Sequence, residues 1–274
     1  MFTVRSAAVA GAFYPGDAAT LSRDVAMLLA AARNRAQTPQ TPQTLPKAVI
    51  VPHAGYIYSG PIAASAYALL EQGRDVYRRV VLLGPVHRVP VRGLALPGTD
   101  AFATPLGTVM LDHALAAKIA AMPQVTESVA AHAMEHSLEV QLPFLQQVLS
   151  DFTLLPLAVG DAAPQEVAEV LEQVWGGPET LIVISSDLSH FHAYREAQAI
   201  DRATAQAILD FQVPIDHMQA CGGTPVNGLL LAARRHGLTP HLLDLRNSGD
   251  TAGDHNRVVG YASFAFNGEP AHAR

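Results

Sequence analysis

The chain has 274 residues, 49% of them hydrophobic and 15% charged, and carries a formal charge of −6. That composition excludes a disordered or fibrous chain and leaves room for one large globular domain or two small ones. The acidic balance, with no clustered Lys or Arg, argues against a nucleic-acid partner held through its phosphates.

Read from the N-terminus, Met1-Phe2-Thr3-Val4-Arg5 lacks the charged-then-apolar layout of a secretory signal. Tyr14-Pro15-Gly16-Asp17 reads as a turn with Asp17 as N-cap, and Leu21, Val25, Leu28 and Leu29 keep helical spacing to about residue 35. The Gln/Thr/Pro-rich stretch 37–46 reads as a surface linker, because too little chain precedes it to form a core. Strands and helices then alternate. Strand 48–52, helix 60–73 and strand 78–85 are followed by short strands across 92–111, turning at Gly98 and Gly107. Helices 113–122 and 137–149, strand 152–159, helix 164–174 and strand 180–185 come next. Helices 195–211 and 224–236 lead to closing strands 239–246 and 257–266. This alternation predicts a single α/β domain spanning 1–274, a mostly parallel sheet sandwiched by helices. No repeat is visible, and no run of roughly 18 apolar residues offers a membrane span. One cysteine, Cys221, cannot form an internal disulfide, which fits a cytoplasmic location.

The chemistry gathers at predicted strand ends. Ala48-Val49-Ile50 leads into Val51-Pro52-His53-Ala54-Gly55-Tyr56-Ile57-Tyr58-Ser59-Gly60, and open α/β sheets build their sites just past the carboxyl ends of strands. The run Val80–Val86 delivers His87 in the same way, and Leu181–Ile184 runs into Ser185-Ser186-Asp187-Leu188-Ser189-His190. Strands consecutive in sequence are expected to neighbour in the sheet, which would pair His53 with His87 as metal ligands. Neutral imidazole suits iron, copper or zinc; taken alone, either histidine reads equally well as a hydrogen-bonded loop residue. The third ligand stays open. Asp187, Glu135 and Asp244 offer the carboxylate of an iron facial triad, and Cys221 competes with them. It lies in Ala220-Cys221-Gly222-Gly223-Thr224-Pro225, just ahead of a predicted helix whose exposed N–H groups would lower a thiol pKa. The plainer reading is a buried, inert thiol. Glu135-His136-Ser137 opens a helix, either as ordinary capping or with His136 as a substrate contact or proton shuttle. Ser, Asp and His crowd 185–190 without a Gly-x-Ser-x-Gly elbow, so Asp187 and His190 read as acid/base groups beside a metal rather than a hydrolase triad. His113, His132, His192, His217, His236, His241, His255 and His272 show no metal-like spacing.

Taken in order, these motifs resemble the Memo family, whose bacterial and archaeal members go by the name AmmeMemoRadiSam system protein B. The resemblance runs from Arg5-x-Ala7-x-Val9-Ala10-Gly11-x-Phe13-Tyr14-Pro15 through the His53, Gly84-Pro85-x-His87, Glu135–Phe144 and Ser185–His190 motifs. It continues to Cys221-Gly222 and Val259-Gly260-Tyr261-Ala262-Ser263. It implies a fold similar to the class III non-haem iron(II) extradiol dioxygenases, the LigB-like fold. Carried over by motif, it implies His53 and His87 as metal ligands, with Cys221 where the dioxygenases have a carboxylate. His190 matches the acid/base histidine, with Asp187 orienting it or the substrate, and His136, Tyr56 and Glu135 are the expected substrate contacts.

The first function this implies is an iron(II)-dependent, dioxygenase-like redox enzyme acting on a small substrate such as a phenol. The alternative is a non-catalytic module that binds a peptide, a partner protein or copper through the same pocket. Zinc-dependent hydrolysis comes third. The system name implies companion proteins, one of them a radical-SAM enzyme; this chain, with one cysteine, cannot itself hold an iron–sulfur cluster.

Overall fold

A computed structural model describes residues 1–35 and 44–268. The linker read at 37–46 lies outside the described residues up to position 43, as does His272. The strands are β1 (Val4–Arg5), β2 (Ala48–Val51), β3 (Arg79–Pro85), β4 (Leu94–Leu96), β5 (Ala101–Thr104) and β6 (Gly107–Met110). They continue with β7 (Val125–Glu127), β8 (Thr153–Val159), β9 (Thr180–Ser185), β10 (His190–His192), β11 (Thr239–Asn247) and β12 (Val258–Asn267). The helices are α1 (Ala18–Arg35), α2 (Tyr56–Leu70), α3 (His113–Ile119), α4 (Val129–Ala133) and α5 (His136–Glu139). The chain adds α6 (Leu142–Val148), α7 (Pro164–Val174), α8 (Tyr194–Leu209) and α9 (Gly223–Arg235).

Among the described residues, nine strands form the main sheet in the order β10-β12-β2-β9-β3-β8-β4-β7, with β11 also pairing with β12. The centre, β2-β9-β3-β8, is parallel, and β12 and β4 join it antiparallel. The α/β class expected from the alternation is therefore the one observed, with antiparallel flanks on a parallel middle. Both faces of that middle are buried, which is why its strands read as continuous apolar runs. Along β3, Val80 and Leu82 pack into one core and Val81 and Leu83 into the other; β9 splits Leu181 and Val183 from Ile182 and Ile184 in the same way. Helices α1, α2 and α6 cover the first face, and α3, α7, α8 and α9 the second. A small second sheet, β1-β5-β6, contains a hairpin that turns at Gly107.

The local reading fails where periodicity is lost. Helix α2 begins at Tyr56, not at 60, because it is buried on nearly every face and shows no apolar stripe at its start. Pro61, which resembles a helix-opening proline, lies inside it. The helix expected over 137–149 is two helices, α5 and α6. Pro143 cannot donate to the Glu139 carbonyl, and the Tyr56 hydroxyl donates to the Val140 carbonyl at the break (2.6 Å). The short β7, α4 and β10 carry too few residues to show a period.

One topological expectation is overturned: β2 and β3 are not neighbours, because β9 lies between them. The β2–α2–β3 crossover skips over β9, and the β8–α7–β9 crossover skips back over β3. Loops from both halves therefore meet above the carboxyl ends of β2, β9 and β3, the kind of crevice where open α/β sheets bind ligands.

Candidate metal centre

His53 follows β2 after Val51-Pro52, and His87 follows β3 after Pro85-Val86. They converge despite the intervening strand because β9 ends at Ser185, whose small side chain lies against the His53 ring: Nδ1 is 2.8 Å from Ser185 Oγ. His136 arrives from the first residue of α5. That helix can approach β3 so closely because residue 84 is glycine; a Cβ there would stand 2.7 Å from Ser137 Oγ. Ser137 Oγ donates to Pro85 O at 2.8 Å and pins the helix to the strand end. Among the described residues, His53, His87 and His136 offer ligand atoms that all lie within 4.8 Å of one another. Their ring centroids are 4.5–5.4 Å apart.

Glu135 organises two of these imidazoles from beneath. Its carboxylate accepts from the His87 backbone N–H (2.6 Å), from His87 Nδ1 (2.9 Å) and from the Ser137 N–H (2.9 Å), and His136 Nδ1 stands 3.3 Å away. Burial works to raise this carboxyl, but the hydrogen bonds and charge of His87 and the Ser137 N–H outweigh it and hold it at about 2. An ionised carboxylate only accepts, so His87 Nδ1 donates to it and Nε2 is the free nitrogen. A carboxylate behind an imidazole fixes ring orientation and raises its basicity toward a metal. Burial pushes His53 well below the ordinary histidine range, with His87, His136 and His190 adding to the effect. Burial, then His87, holds His136 at about 4. Both rings are therefore neutral at physiological pH, the form that binds metal.

Cys221 lies beside this group rather than within the mutually close set. Its Sγ is 3.3 Å from His53 Nε2 and 3.7 Å from Asp187 O. The sulfur is held there by a tight loop, since a Cβ on Gly222 would fall 2.6 Å from Ser186 Cβ. The expectation of a lowered thiol pKa is overturned. Burial and the nearby Asp187 raise it, and together they outweigh the hydrogen bonds that lower it, including that from Gly222 N–H at the start of α9. Asp187 is buried, accepts from the His53 N–H at 2.7 Å and places Oδ2 4.0 Å from His53 Nε2; burial pushes it up to about 7 against its backbone hydrogen bonds. His190, half-buried on β10, is lowered by burial first, with His87 adding.

The remaining candidates fall elsewhere. The Tyr56 hydroxyl is spent on Val140 O while its ring packs against Tyr14 and Phe144, so it is not turned toward the cluster. Both Glu135 oxygens are spent on the histidines and the α5 N-terminus. Asp244 lies away on β11, bonded to Ser65 and Arg246. Sequence reasoning missed Ser185 and Gln141 behind His53, and Phe13, whose ring lies 4.7 Å from that of His136. The signal was present: Glu139 and Gln141 are polar residues in a stretch otherwise built as core. A cleft of about 440 Å³ opens beside His87 and Cys221, walled by Val86, Val89 and Val91 and edged by Arg88, Asp161 and His217.

Fold and site together define an α/β protein with an imidazole cluster of metal-binding type in the crevice of its sheet. A family profile described as Memo-like protein matches residues 5–265. The chain is 37% identical over 276 residues to a MEMO1 family protein of Aquifex aeolicus, covering 96% of this chain and 99% of that one. A MEMO1 family protein of Methanopyrus kandleri is 35% identical, with 96% and 98% covered. The chain belongs to the Memo family. Its fold is similar to that of an uncharacterized Escherichia coli K12 protein of known crystal structure (TM-score 0.51, 14% identity, 80% of this chain and 99% of that chain covered).

Proposed function

We propose that the protein is a metal-dependent redox enzyme whose ion is held by His53, His87 and His136. The observation that carries this reading is the convergence of three imidazoles from three separate elements on one point. The donor set fits iron, copper or zinc, and Cys221 at its edge supplies a soft sulfur. Iron(II) bound there would supply one-electron chemistry and the activation of oxygen. The residues do the rest. Val86, Val89 and Val91 wall an open cleft with room for a small aromatic such as a phenol. His190, lowered by burial and near enough to His87 to feel its charge, is the residue this reading assigns to take a proton from the substrate. Asp187 holds the His53 turn by its backbone hydrogen bond and, near pH 7, holds or releases a proton beside it. A reducing cytoplasm, which keeps Cys221 a thiol, is the setting this reading requires. The partners this reading expects are the radical-SAM system proteins that the family name implies.

Oxygen uptake by protein loaded anaerobically with iron(II), across a panel of phenols, tests this. Uptake that falls at least tenfold in His190→Ala supports it. Bound iron with no uptake across the panel sinks it. That second outcome favours a binding module, for which the Cys221 sulfur 3.3 Å from His53 Nε2 is a natural copper(I) partner.

A further inference from the structure

The hydrogen bonds behind His53 permit one consistent placement of protons. Gln141 is fixed first. Its Oε1 accepts from the Tyr67 hydroxyl at 2.9 Å, and its amide nitrogen donates to Pro52 O and to Ser185 Oγ, both at 2.9 Å. The flipped amide would set its oxygen against the Pro52 carbonyl, two acceptors with no hydrogen between them. Ser185 is fixed next. Its Oγ stands 2.6 Å from the Ser137 carbonyl, an obligate acceptor, so its one hydrogen points there. One lone pair of that oxygen is already taken by the Gln141 amide. The other faces His53 Nδ1 at 2.8 Å, so the imidazole is the donor. Nε2 is then the unprotonated nitrogen, and it looks toward Cys221 Sγ.

We infer that Gln141 and Ser185 are positioning residues that lock His53 in its Nδ1–H tautomer and present the Nε2 lone pair to the metal. Both side chains are buried, as is Tyr67, so no water competes for the chain of bonds. The relay spans four elements: Tyr67 on α2, Gln141 between α5 and α6, Ser185 closing β9, and His53 past β2. It complements the carboxylate behind His87 and His136, giving His53 an anchor of its own. Its last clause rests on the metal-binding reading above; the tautomer does not.

Long-range 1H–15N correlation of the metal-free, 15N-labelled protein tests it, with zinc(II) affinity by competition titration as the second readout. In the wild type, His53 Nδ1 is expected at a pyrrole-type shift and Nε2 at a pyridine-type shift. Ser185→Ala, which deletes one oxygen, is expected to mix or invert that pattern and to weaken zinc binding roughly 10–100-fold. A pyridine-type Nδ1 in the wild type overturns the inference whatever the variant does. So does a Ser185→Ala protein with unchanged tautomer and affinity. A wild type with the expected tautomer that binds no zinc leaves the relay standing and overturns the metal-binding reading instead.

Discussion

His132 shows at the residue scale how burial alone writes a pH dependence. The ring is buried, its Nε2 donates to Ala95 O at 2.8 Å, and its Nδ1 has no partner among the described residues. Burial leads in lowering its pKa from 6.5 to about 4, against the pull of that hydrogen bond. The unfolded chain takes up a proton near pH 6.5, while the folded one refuses it until about pH 4. Stability is therefore complete above pH 6.5 and drains away as pH falls through that window. Across the window this one group costs roughly 3 kcal/mol. Urea titrations of the metal-free protein at pH 7 and pH 4.5 should show His132→Gln losing less stability than the wild type by a large part of that amount. Equal losses in the two proteins would contradict the assignment. His136, held at about 4 for the same leading reason, adds a contribution of the same sign.

Elements are joined here by buried polar residues that no periodic pattern reveals. Glu139, fully buried at the end of α5, accepts from the Ala8 and Val9 N–H groups (2.8 and 3.0 Å) and from the Tyr14 hydroxyl. It also pairs with Arg5 at 2.6 Å, and Arg5 in turn donates to the His132 and Glu135 carbonyls. One carboxylate thus ties the N-terminal segment to the helix that carries His136. Removing one partner of such a pair leaves the other charge buried, so Glu139→Ala should cost about 3–5 kcal/mol. Thermal melts would register a drop of many degrees, and a change within error would show that the pair contributes nothing. The residues were visible in the sequence as part of the Glu135–Phe144 motif, but their partners lie more than a hundred positions away. Spacing along a chain says nothing about contacts of that range.

For the whole molecule, the α/β class was legible because buried parallel strands leave apolar runs and the amphipathic helices between them keep a period of 3.6. The order of strands was not, since β9 enters between β2 and β3 only after the chain has made two further crossovers. His53 and His87 were singled out by their places at strand ends, and the imidazoles do meet. His136 as a third corner was hidden by a helix start that looks like any other cap, and the close approach that delivers it depends on Gly84 lacking a side chain. Metal content decides the account most directly. Protein purified anaerobically, then offered iron(II), copper(I) and zinc(II) in turn, should bind one ion per chain. The His53→Ala/His87→Ala double variant should bind none while keeping the wild-type circular dichroism spectrum. A double variant that retains the ion, or a wild type that takes up none of the three, would contradict a metal centre at this site.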